Sequence, residues 1–581
     1  MILQPSAIMT RFLITSALPY INGVKHLGNL VGSMLPADVY ARFRRAKGDE
    51  TLFICATDEH GTPAELAALE AGQDVATYCR EQHAIQQDIA ERFGLSWDFF
   101  GRSSSAQNRE LTQHFARVLW KQGHLEVRTT KQVYSHAEYR FLPDRYVIGT
   151  CPYCGYDRAR GDQCENCTRV LDPTDLIKPR SAVSGSSEIE IRDSAHLFLK
   201  QSGFVEQLRA WIDSHENDWP HLVLSIARKW LDEGLKDRGI TRDLEWGVPV
   251  PDDIGDGQLK GKVFYVWFDA PIEYIGATKE LTDAKGLPDS EWQRWWRPQT
   301  PGEVTYFEFM AKDNVPFHTV GFPVTIFGSG ENWKLVDRIK GFNWLTYYGG
   351  KFSTSQKRGV FMDTALGLLP ADYWRWYLMA NAPESADTSF TWEHFASVAN
   401  KDLADVLGNF VNRVTKFCAA RFDGQVPGEG DYGAEEQALI AELDRRVAVY
   451  SEHLEQIEFR KALAELRAIW VAGNEYLTRA APWTHIKTDR AKAAAGVRMG
   501  LNLVHLFGHL AWPVIPSAAR IVHDAIMTAP EIIPWPSEPM AQFLDQLDAG
   551  QKIQVPDVLF AKIADEQTAE WKARFGGEEA S

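Results

Sequence analysis

The sequence of 581 residues lacks long apolar segments and an excess of basic residues. Its longest apolar stretches, such as residues 222–226, are far shorter than the roughly 20 residues that cross a bilayer. Residues 1–20 also lack the sustained apolar region of a secretion signal, so we expect a cytoplasmic protein. With 62 Lys and Arg against 78 Asp and Glu, the net charge of −16 excludes a uniformly basic nucleic-acid binder. A polyanionic partner would have to bind local basic patches.

The seven cysteines are few and unevenly placed, which argues against a disulfide framework. Four of them form the pattern Cys151-x2-Cys154-x9-Cys164-x2-Cys167, and the other three stand alone among apolar residues. Two thiolate pairs at this spacing predict one structural Zn²⁺ site, with an iron site of four thiolates as the alternative. Because four protein ligands leave no open position, we expect this metal to fold the surrounding segment and not to catalyse a reaction.

Hydrophobic patterning predicts an α/β fold in the first part of the chain. Residues 11–17 and 51–56 are predicted strands separated by a helix over about 28–47, an order typical of a parallel sheet with crossover helices. Residues 126–240 are rich in Arg, Asp, Cys, Gly and Pro and are predicted to be an insertion. We expect the second half of the same sheet at residues 263–269 and 305–310.

From about residue 392 the pattern predicts only helices, because apolar residues recur at alternating spacings of four and three. The predicted fold class is α/β: a Rossmann-like parallel-sheet catalytic domain with a zinc-knuckle insertion, followed by an all-α helical bundle domain. The predicted boundaries are 1–125 and 241–348 for the two halves of the catalytic domain, 126–240 for the inserted connective domain, 349–391 for a mobile loop and linker, 392–545 for the helical domain, and 546–581 for a C-terminal tail apolar enough to pack back on the body.

The turn after the first strand is a candidate phosphate site. Open α/β sheets bind ligands at the carboxyl ends of their strands, where a helix N-terminus favours anions. The turn is His26-Leu27-Gly28-Asn29 and not Gly-x-Gly-x-x-Gly, so a dinucleotide fold of the dehydrogenase type is not indicated. Gly28 allows close approach of a nucleotide, and His26 and Asn29 offer hydrogen-bond donors. Taken alone, such a histidine is more often an ordinary loop residue.

A second candidate lies much later in the chain, at residues 351–355 (KFSTS), after two glycines and just before Lys357 and Arg358. A basic loop with a glycine hinge and hydroxyl groups can close over a polyphosphate and neutralise its charge. Taken alone, this segment is more often a solvated basic turn.

Together, the two motifs resemble the paired nucleotide signatures of the class I aminoacyl-tRNA synthetases. Segments 17–23 (ALPYING), 55–62 (CATDEHGT), 264–272 (FYVWFDAPI) and 311–318 (AKDNVPFH) resemble the methionyl-tRNA synthetase family, and the resemblance covers about residues 11–563. It implies attack of the methionine carboxylate on the α-phosphate of ATP, giving methionyl-adenylate and pyrophosphate, and then transfer to the terminal ribose of tRNA. Such chemistry needs no protein nucleophile and depends on positioning and charge neutralisation.

The resemblance also implies roles for individual positions. The residues implied to bind methionine are Ala17, Leu18, Tyr20, Asp58, Trp267, Ala270, Pro271, Tyr274 and His318, among which Asp58 would hold the substrate ammonium group. Those implied to bind ATP, together with Mg²⁺, are Gly28, Lys312, Asp313, Ser353 and Ser355. The positions implied in catalysis are His26, Asn29, Thr354 and Lys351, of which Lys351 would contact the pyrophosphate leaving group. Lys357 is a further catalytic candidate because of its place in the loop and not because of the resemblance. Aromatic rings suit a thioether ligand, although any single aromatic is more often part of the core.

Two positions depart from the family pattern. Asn29 replaces the second histidine of the first signature, which keeps a donor but cannot carry a charge. Thr354 replaces the second lysine of the loop signature, so the cation credited with stabilising the transition state is missing from its place. We hypothesise that Lys357 or Arg358 substitutes, because they lie three and four residues further along the same loop.

In the helical domain, the resemblance implies that four residues read the CAU anticodon: Asn409, Arg413, Pro482 and Trp483. Asn409 and Arg413 are four residues apart and share one side of a helix. A tryptophan suits stacking on an unpaired base. For Arg413 alone, a surface ion pair is the competing explanation.

Two alternative functions remain at this stage. A class I synthetase for another apolar amino acid, such as leucine, valine or isoleucine, would be expected to carry a longer editing insertion than the one available here. A catalytically weakened RNA-binding paralogue is suggested by Thr354 and by the net charge, but it would be free to lose the methionine pocket, which is complete. The implied partners are ATP, L-methionine and the initiator and elongator forms of tRNA(Met), with no membrane partner, and we expect a monomer.

Overall fold

The computed structural model describes residues 11–167, 169–353 and 358–576. The first part alternates strands and helices, and a π-helical turn over Leu30–Met34 joins the first two helices. The strands are β1 (Arg11–Ser16), β2 (Glu50–Thr57) and β3 (Phe99–Arg102), and the helices are α1 (Leu27–Asn29), α2 (Leu35–Ala46), α3 (Thr62–Glu70), α4 (Val75–Arg92) and α5 (Ala106–Lys121). The two predicted strands and the helix between them are confirmed to within one residue at each end.

An insertion of short strands and two helices follows. Its strands are β4 (Leu125–Ser135), β5 (Arg140–Phe141), β6 (Val147–Thr150), β7 (Ala159–Arg160), β8 (Ile177–Ser181), β9 (Ile189–Leu199), β10 (Arg238–Gly239) and β11 (Thr241–Arg242), and its helices are α6 (Val205–Ser214) and α7 (His221–Asp232). β4 and β9 pair antiparallel along their whole length. A separate small sheet in the order β7-β6-β8 frames the four clustered cysteines.

The chain then returns to the α/β domain. The elements are β12 (Val263–Phe264), α8 (Val266–Asp269), α9 (Glu273–Ala284), α10 (Ser290–Trp296), β13 (Val304–Ala311), α11 (Phe322–Ser329) and β14 (Arg338–Phe342). The strand predicted at 305–310 is confirmed as part of β13, but the one predicted at 263–269 is wrong. Only β12 is extended there, it pairs with β11 outside the main sheet, and α8 follows. A short apolar run suits a buried helical turn as well as a strand, so its period alone does not separate them.

The main sheet has the strand order β14-β13-β1-β2-β3, and all neighbouring pairs are parallel. The chain leaves β1 towards β2 and β3 on one side and returns to β13 and β14 on the other. Such a reversal opens a crevice outside the carboxyl ends of β1 and β13, where open α/β sheets bind their ligands.

A linker of small strands and two helices joins the sheet to the helical part. Its elements are β15 (Leu345–Tyr347), β16 (Gly350–Lys351), α12 (Met362–Leu368), α13 (Ala371–Ala380) and β17 (Thr388–Phe390). Arg375 of α13 is fully buried, and its Nη2 lies 2.6 Å from Oδ2 of Asp38 in α2. Its Nε also donates to the carbonyl of Val514 at 2.7 Å. One guanidinium therefore connects the α/β domain, the linker and the helical domain.

The remainder is helical, as predicted, and the expected fold class is confirmed. The helices are α14 (Trp392–Val398), α15 (Asn409–Arg421), α16 (Ala434–Glu455), α17 (Phe459–Ala480), α18 (Pro482–His485), α19 (Arg490–Ala511), α20 (Pro516–Asp524), α21 (Met540–Phe543) and α22 (Asp565–Phe575). In the part of the chain that the structure describes, no helix is both long and apolar enough to cross a membrane.

The C-terminal segment packs against α14 and the linker. The Trp571 ring lies 5.2 Å from the Trp392 ring, and Lys572 forms an ion pair with Glu393 at 2.8 Å. The Tyr347 hydroxyl in β15 lies 3.5 Å from the carbonyl oxygen of Phe575. The tail thus supports the small sheet that carries the start of the 351–355 loop.

Candidate active site

The crevice at the carboxyl ends of β1, β2 and β13 collects residues implied to bind methionine. Ala17 directly follows β1, and its N–H donates to the carbonyl of Phe309 in β13 at 2.8 Å. The N–H of Asp58 donates to the carbonyl of Pro19 at 2.9 Å, so Tyr20 and Asp58 lie side by side in a parallel bridge. The pairing of β1 with β2 thus continues beyond the sheet and brings both side chains to the crevice.

The Trp267 indole joins this group from α8. Its Nε1 lies 3.4 Å from the Tyr20 hydroxyl, and its ring lies 4.4 Å from the Phe317 ring. The Arg238 guanidinium lies 4.4 Å from the centroid of the indole. Three further residues implied to bind methionine lie close to Tyr20 and Trp267 in sequence. Leu18 and Ala270 are half-buried, and Pro271 is buried.

A buried hydrogen-bonded pair joins α9 to the helical turn after β13. The Tyr274 hydroxyl lies 2.9 Å from Nε2 of His318, and Nδ1 of His318 lies 2.9 Å from the carbonyl oxygen of Asn314. Because a carbonyl only accepts, Nδ1 carries the proton and Nε2 accepts from the hydroxyl. Burial lowers the pKa of His318 to about 4 and raises the pKa of Tyr274. Both groups are therefore neutral near pH 7, which suits an uncharged ligand such as a thioether.

Asp58 is buried, and no donor among the described residues reaches its Oδ1. Burial, with the nearby carboxylates of Asp269 and Glu59, raises the pKa of Asp58 well above its usual range. A bound ammonium group would supply both the missing donor and the opposite charge.

The two carboxylates beside Asp58, those of Glu59 and Asp269, form hydrogen bonds with Arg102 and His60. Arg102 donates from Nε and Nη2 to both oxygens of Glu59, at 2.8 and 3.0 Å. Asp269 lies 2.6 Å from Nδ1 of His60. Bidentate and buried contacts of this kind fix the geometry around Asp58. The sequence analysis did not identify these supporting residues, although three of them lie in the segments that it quoted.

The turn at the start of α1 is stabilised by reciprocal hydrogen bonds. Nδ1 of His26 accepts from the backbone N–H of Asn29 at 3.2 Å, and Oδ1 of Asn29 accepts from the backbone N–H of His26 at 3.2 Å. Nε2 of His26 and Nδ2 of Asn29 are the remaining donors, as the predicted phosphate role requires. Burial and the charge of Lys25 lower the pKa of His26 to about 3, so this donor is neutral near pH 7. A Cβ on Gly28 would lie 3.0 Å from Nδ1 of His26, so the turn has little room for a side chain.

Lys25 is a candidate functional residue that the sequence analysis missed. Its side chain is buried, and Nζ donates to Oδ1 of Asn22 at 3.1 Å. Burial lowers the pKa of Lys25 to about 7, against an opposing effect of Asp58. A buried lysine next to His26 can take up a proton when an anion arrives. Its position directly before the first signature was the available signal.

The two nucleotide motifs meet in space. The Phe352 ring stacks on the His26 ring with centroids 4.9 Å apart. The backbone N–H of Leu27 donates to the carbonyl of Val360 at 3.0 Å, so the chain after the loop also lies along the first motif. Gly359 lies under Phe352, where a Cβ would come within 2.1 Å of the ring. The sequence analysis predicted that the two motifs share one site, and in the structure they are in contact.

Trp344 links the loop lysine to the segment after β13. Nζ of Lys312 lies 4.3 Å and Nζ of Lys351 lies 4.7 Å from the centroid of its ring. Lys312 also forms an ion pair with Asp387 at 2.8 Å. Asp313 is exposed beside Lys312. Two of the lysines implied to bind ATP or pyrophosphate therefore share one aromatic surface.

The loop itself is closed by a backbone bridge between Ser353 and Arg358, with N–H···O distances of 3.1 and 2.9 Å. Nη2 of Arg358 donates to the carbonyl of Tyr347 at 3.0 Å. This hydrogen bond holds the guanidinium against β15. Arg358 would have to break it in order to replace the lysine that is missing at position 354 of the loop. The other predicted loop residues, Thr354, Ser355 and Lys357, lie outside the described residues.

The four clustered cysteines converge. Sγ of Cys151 lies 3.8 Å from Sγ of Cys167, Sγ of Cys154 lies 3.6 Å from Sγ of Cys164, and all four sulfur atoms lie within 4.8 Å of one another. Tetrahedral Zn²⁺ with Zn–S bonds of about 2.3 Å would separate its sulfur ligands by about 3.8 Å. The cluster therefore has the ligand type and the spacing of a closed metal site.

The four residues implied to read the anticodon also lie together. The Arg413 guanidinium in α15 lies 4.5 Å from the centroid of the Trp483 ring in α18, and Asn409 is one turn earlier on α15. Ala481 adopts a left-handed conformation with φ of 38°, which turns the chain from α17 into α18 at buried Pro482. Trp483 is 39% exposed, an unusually open position for the largest aromatic side chain.

Comparisons with known proteins match both parts of the chain. A family model described as "tRNA synthetases class I (M)" matches residues 12–415, and one described as "Anticodon binding domain of methionyl tRNA ligase" matches residues 426–580. The methionine--tRNA ligase of Dinoroseobacter shibae is 61% identical over 98% of this chain and 100% of its own length. That of Caulobacter vibrioides is 61% identical over the same shares of both chains.

Solved structures share the fold over most of the chain. Mycobacterium tuberculosis methionyl-tRNA synthetase in complex with methionyl-adenylate has a TM-score of 0.76 and 24% identity, over 95% of this chain and 100% of that chain. The apo form of the same enzyme has a TM-score of 0.70 and 22% identity, over 97% of this chain and 100% of that chain.

Proposed function

The chain belongs to the methionyl-tRNA synthetases of class I, and we propose that its crevice at the carboxyl ends of β1, β2 and β13 is where methionine and ATP react. The protein ligates L-methionine to tRNA(Met) through methionyl-adenylate and releases pyrophosphate and AMP. The main observation behind this assignment is the stacking of the His26 ring on the Phe352 ring. It joins the two nucleotide motifs next to the residues that are implied to bind methionine.

Methionine would enter with its ammonium group at Asp58 and its side chain between the Trp267 indole and the neutral pair of Tyr274 and His318. Two observations support this orientation. The Oδ1 atom of Asp58 has no donor among the residues described, and the pair has its protons fixed by the carbonyl of Asn314. A thioether needs polarisable neighbours and no strong donor or charge.

ATP would lie along the start of α1 with its phosphates near His26, Asn29 and Lys25 and its leaving group near Lys351. Mg²⁺, when bound with ATP, would neutralise part of the phosphate charge. A methionine carboxylate oxygen attacks the α-phosphorus, and the bond from that phosphorus to the bridging oxygen of pyrophosphate breaks. Neutral donors at His26 and Asn29 position the phosphates, and lysines neutralise the charge that moves onto the leaving group.

The cysteine cluster would hold one structural Zn²⁺, because its four thiolates leave no position for a substrate. Zinc in this place would stabilise the small β7-β6-β8 sheet of the insertion.

The surface of Asn409, Arg413 and Trp483 would bind the anticodon of tRNA(Met), both initiator and elongator. The exposed indole offers a stacking surface, and the neighbouring guanidinium and amide offer donors to base edges. In the second reaction step, the terminal ribose hydroxyl attacks the methionyl carbonyl and AMP leaves. We expect the protein to act as a monomer in the cytoplasm, and sedimentation showing a stable dimer would contradict the first point.

Methionine-dependent exchange of labelled pyrophosphate into ATP tests the catalytic proposal. Lys351→Ala should reduce the exchange rate at least about tenfold, since a charge-assisted contact to the leaving group contributes about 1.5–3 kcal/mol. Lys131→Ala removes an exposed lysine of the insertion and serves as the control. Full exchange by Lys351→Ala, or exchange that does not need methionine, would contradict the proposal.

Aminoacylation of tRNA tests the anticodon surface separately. Trp483→Ala should raise the KM for tRNA about fivefold or more, because base stacking contributes about 1–3 kcal/mol, and should leave pyrophosphate exchange unchanged. Ile521→Ala removes another exposed apolar side chain of the same domain and is the matched control. Equal effects of both variants on the KM for tRNA would argue against a role for Trp483.

A further inference from the structure

Three buried histidines converge in the helical domain, far along the chain from the cysteine cluster. His505 and His509 lie one turn apart on α19, and His523 lies near the end of α20. Their exposed fractions are 3%, 5% and 2%, and one ring nitrogen of each lies within 4.8 Å of the others. The Nε2 atoms of His505 and His509 are 3.0 Å apart. Neither the sequence patterns nor the proposed function accounts for this group.

The outward nitrogens of the rings have partners that fix the protons. Nδ1 of His509 lies 2.6 Å from the carbonyl oxygen of Pro534, and Nδ1 of His523 lies 3.0 Å from the carbonyl oxygen of Met527. Because carbonyls only accept, both Nδ1 atoms carry hydrogen, and the lone pair of each ring is on Nε2. These two rings therefore have the tautomer that metal-binding histidines adopt when a carbonyl holds the other nitrogen.

The third ring has two available states. Nδ1 of His505 lies 2.9 Å from the side-chain amide of Gln546. With the amide nitrogen towards the ring, His505 carries its proton on Nε2 and donates it to Nε2 of His509. A half-turn of the amide presents oxygen instead, so Nδ1 takes the proton and the Nε2 lone pair becomes available. The same three rings can thus hold either one internal hydrogen bond or one cation.

We propose that His505, His509 and His523 bind one Zn²⁺ ion that links α19 to α20. Three imidazoles suit Zn²⁺ and other late first-row metals. Nitrogens bound at about 2.0–2.1 Å to a tetrahedral ion lie about 3.3 Å apart, close to the separation that His505 and His509 already have. The fourth ligand would be a water molecule. This site is distinct from the four-cysteine cluster and does not depend on the proposed function.

The packing around the rings supports a structural role for the ion. The Phe543 ring stacks on His505 at 5.4 Å and contacts His509 edge-on at 5.2 Å, so an apolar side chain covers this side. Gly508 lies between the two histidines of α19, and a Cβ there would lie 3.4 Å from the carbonyl oxygen of Ala519. At this distance a Cβ would be in ordinary van der Waals contact, so α20 packs directly on this turn of α19 and brings His523 to the other two rings.

The first test is a cobalt titration of tag-free, metal-free protein, which needs no substitution. Co²⁺ bound by four thiolates gives intense sulfur-to-metal charge-transfer absorption, whereas Co²⁺ bound by three imidazoles gives only weak visible bands. We expect two equivalents to bind, with charge-transfer absorption from one of them alone. Binding of a single equivalent, with charge-transfer absorption throughout, would overturn the proposal and leave a hydrogen-bonded imidazole cluster.

The second test is the zinc content of purified protein by mass spectrometry. The unaltered chain should carry two Zn²⁺ ions and His523→Gln one. His453→Gln is the matched control, since His453 is a half-buried histidine of α16 that pairs with Glu458 at 3.0 Å. The proposal fails if a folded His523→Gln chain keeps both ions. If that variant does not fold, the cobalt titration of the unaltered chain still decides.

Discussion

Replacing Gly359 by alanine should slow adenylate formation, because the new methyl group would displace Phe352 from His26. Gly359 has φ of 108°, and its Cβ would lie 2.1 Å from Cδ1 and 2.4 Å from Cε1 of Phe352. Carbon atoms in contact need about 3.5 Å, so the ring has to move by more than about 1 Å. Such a shift would change the stacking of the Phe352 ring on the His26 ring, whose centroids are 4.9 Å apart.

The expected size of the effect follows from two separate terms. Left-handed backbone strain costs about 1–2 kcal/mol, and loss of an aromatic contact costs about 0.5–1.5 kcal/mol. Together these terms lower the free energy of unfolding by about 1.5–3.5 kcal/mol. A misplacement of about 1 Å in a site that works by positioning can lower the rate on the order of 100-fold.

The matched control is Gly48→Ala, at an exposed turn after α2 and outside the loop. Gly48 has φ of 83°, and its Cβ would meet no atom within 4 Å, so this variant has the backbone strain without the clash. Pyrophosphate exchange at saturating methionine should fall strongly in Gly359→Ala and little in Gly48→Ala. Equal exchange rates in the two variants, at comparable melting temperatures, would refute the role given to the stack.

Three further changes test other parts of the site and its support. Asp58→Asn should raise the KM for methionine about tenfold or more in the exchange assay, because it removes an ionic hydrogen bond that contributes about 1.5–3 kcal/mol. An unchanged KM would show that this carboxylate does not bind the ammonium group. Lys25→Met should flatten the dependence of the free energy of unfolding on pH. The pKa of Lys25 is about 7 in the folded chain and 10.5 in the unfolded chain, so between these values the unfolded chain binds more protons. The free energy of unfolding of the unaltered protein should therefore increase by up to about 1.4 kcal/mol per pH unit as pH rises. Urea unfolding at pH 7.5 and 9.5 measures that slope, and an equal slope in both proteins would contradict the burial of the amine. Arg375→Met should lower the free energy of unfolding by about 1.5–3 kcal/mol, measured by denaturant titration, because it removes one of the two guanidinium partners of the buried Asp38 carboxylate. A loss below about 1 kcal/mol would show that the remaining ion pair of Asp38 with Arg42 compensates.

The fold was predictable where periodicity was long and one-sided. The helices after residue 392 and the strands β1, β2 and β13 bury one face or a whole segment, and both patterns are visible in the sequence. The segment 263–269 was not predictable in this way, because its apolar run is short and buried on all sides. Its path depends on the pairing of β12 with β11 across a long loop, and no local pattern encodes that contact.

The site was predictable to the extent that its residues lie in short motifs. The thiolate spacing and the two nucleotide motifs fall in this class. The stack on Phe352, the shared surface of Trp344 and the clash that keeps residue 359 a glycine arise only when distant segments meet. The three histidines of the helical domain show the same limit, since one of them lies on a different helix from the other two.

Burial also explains how a chain with a net charge of −16 can hold both an ammonium group and a triphosphate. Burial raises the pKa of Asp58 and lowers the pKa of Lys25, so each group on its own tends towards its neutral form. An ammonium group beside Asp58 and a phosphate beside Lys25 would reverse both shifts, because an opposite charge favours the ionised form. The strong charge pairs would then form only with the substrates in place. Methionine and ATP would thus contribute the charges that stabilise their own binding site, while Lys351 at the Trp344 ring would neutralise the pyrophosphate that leaves.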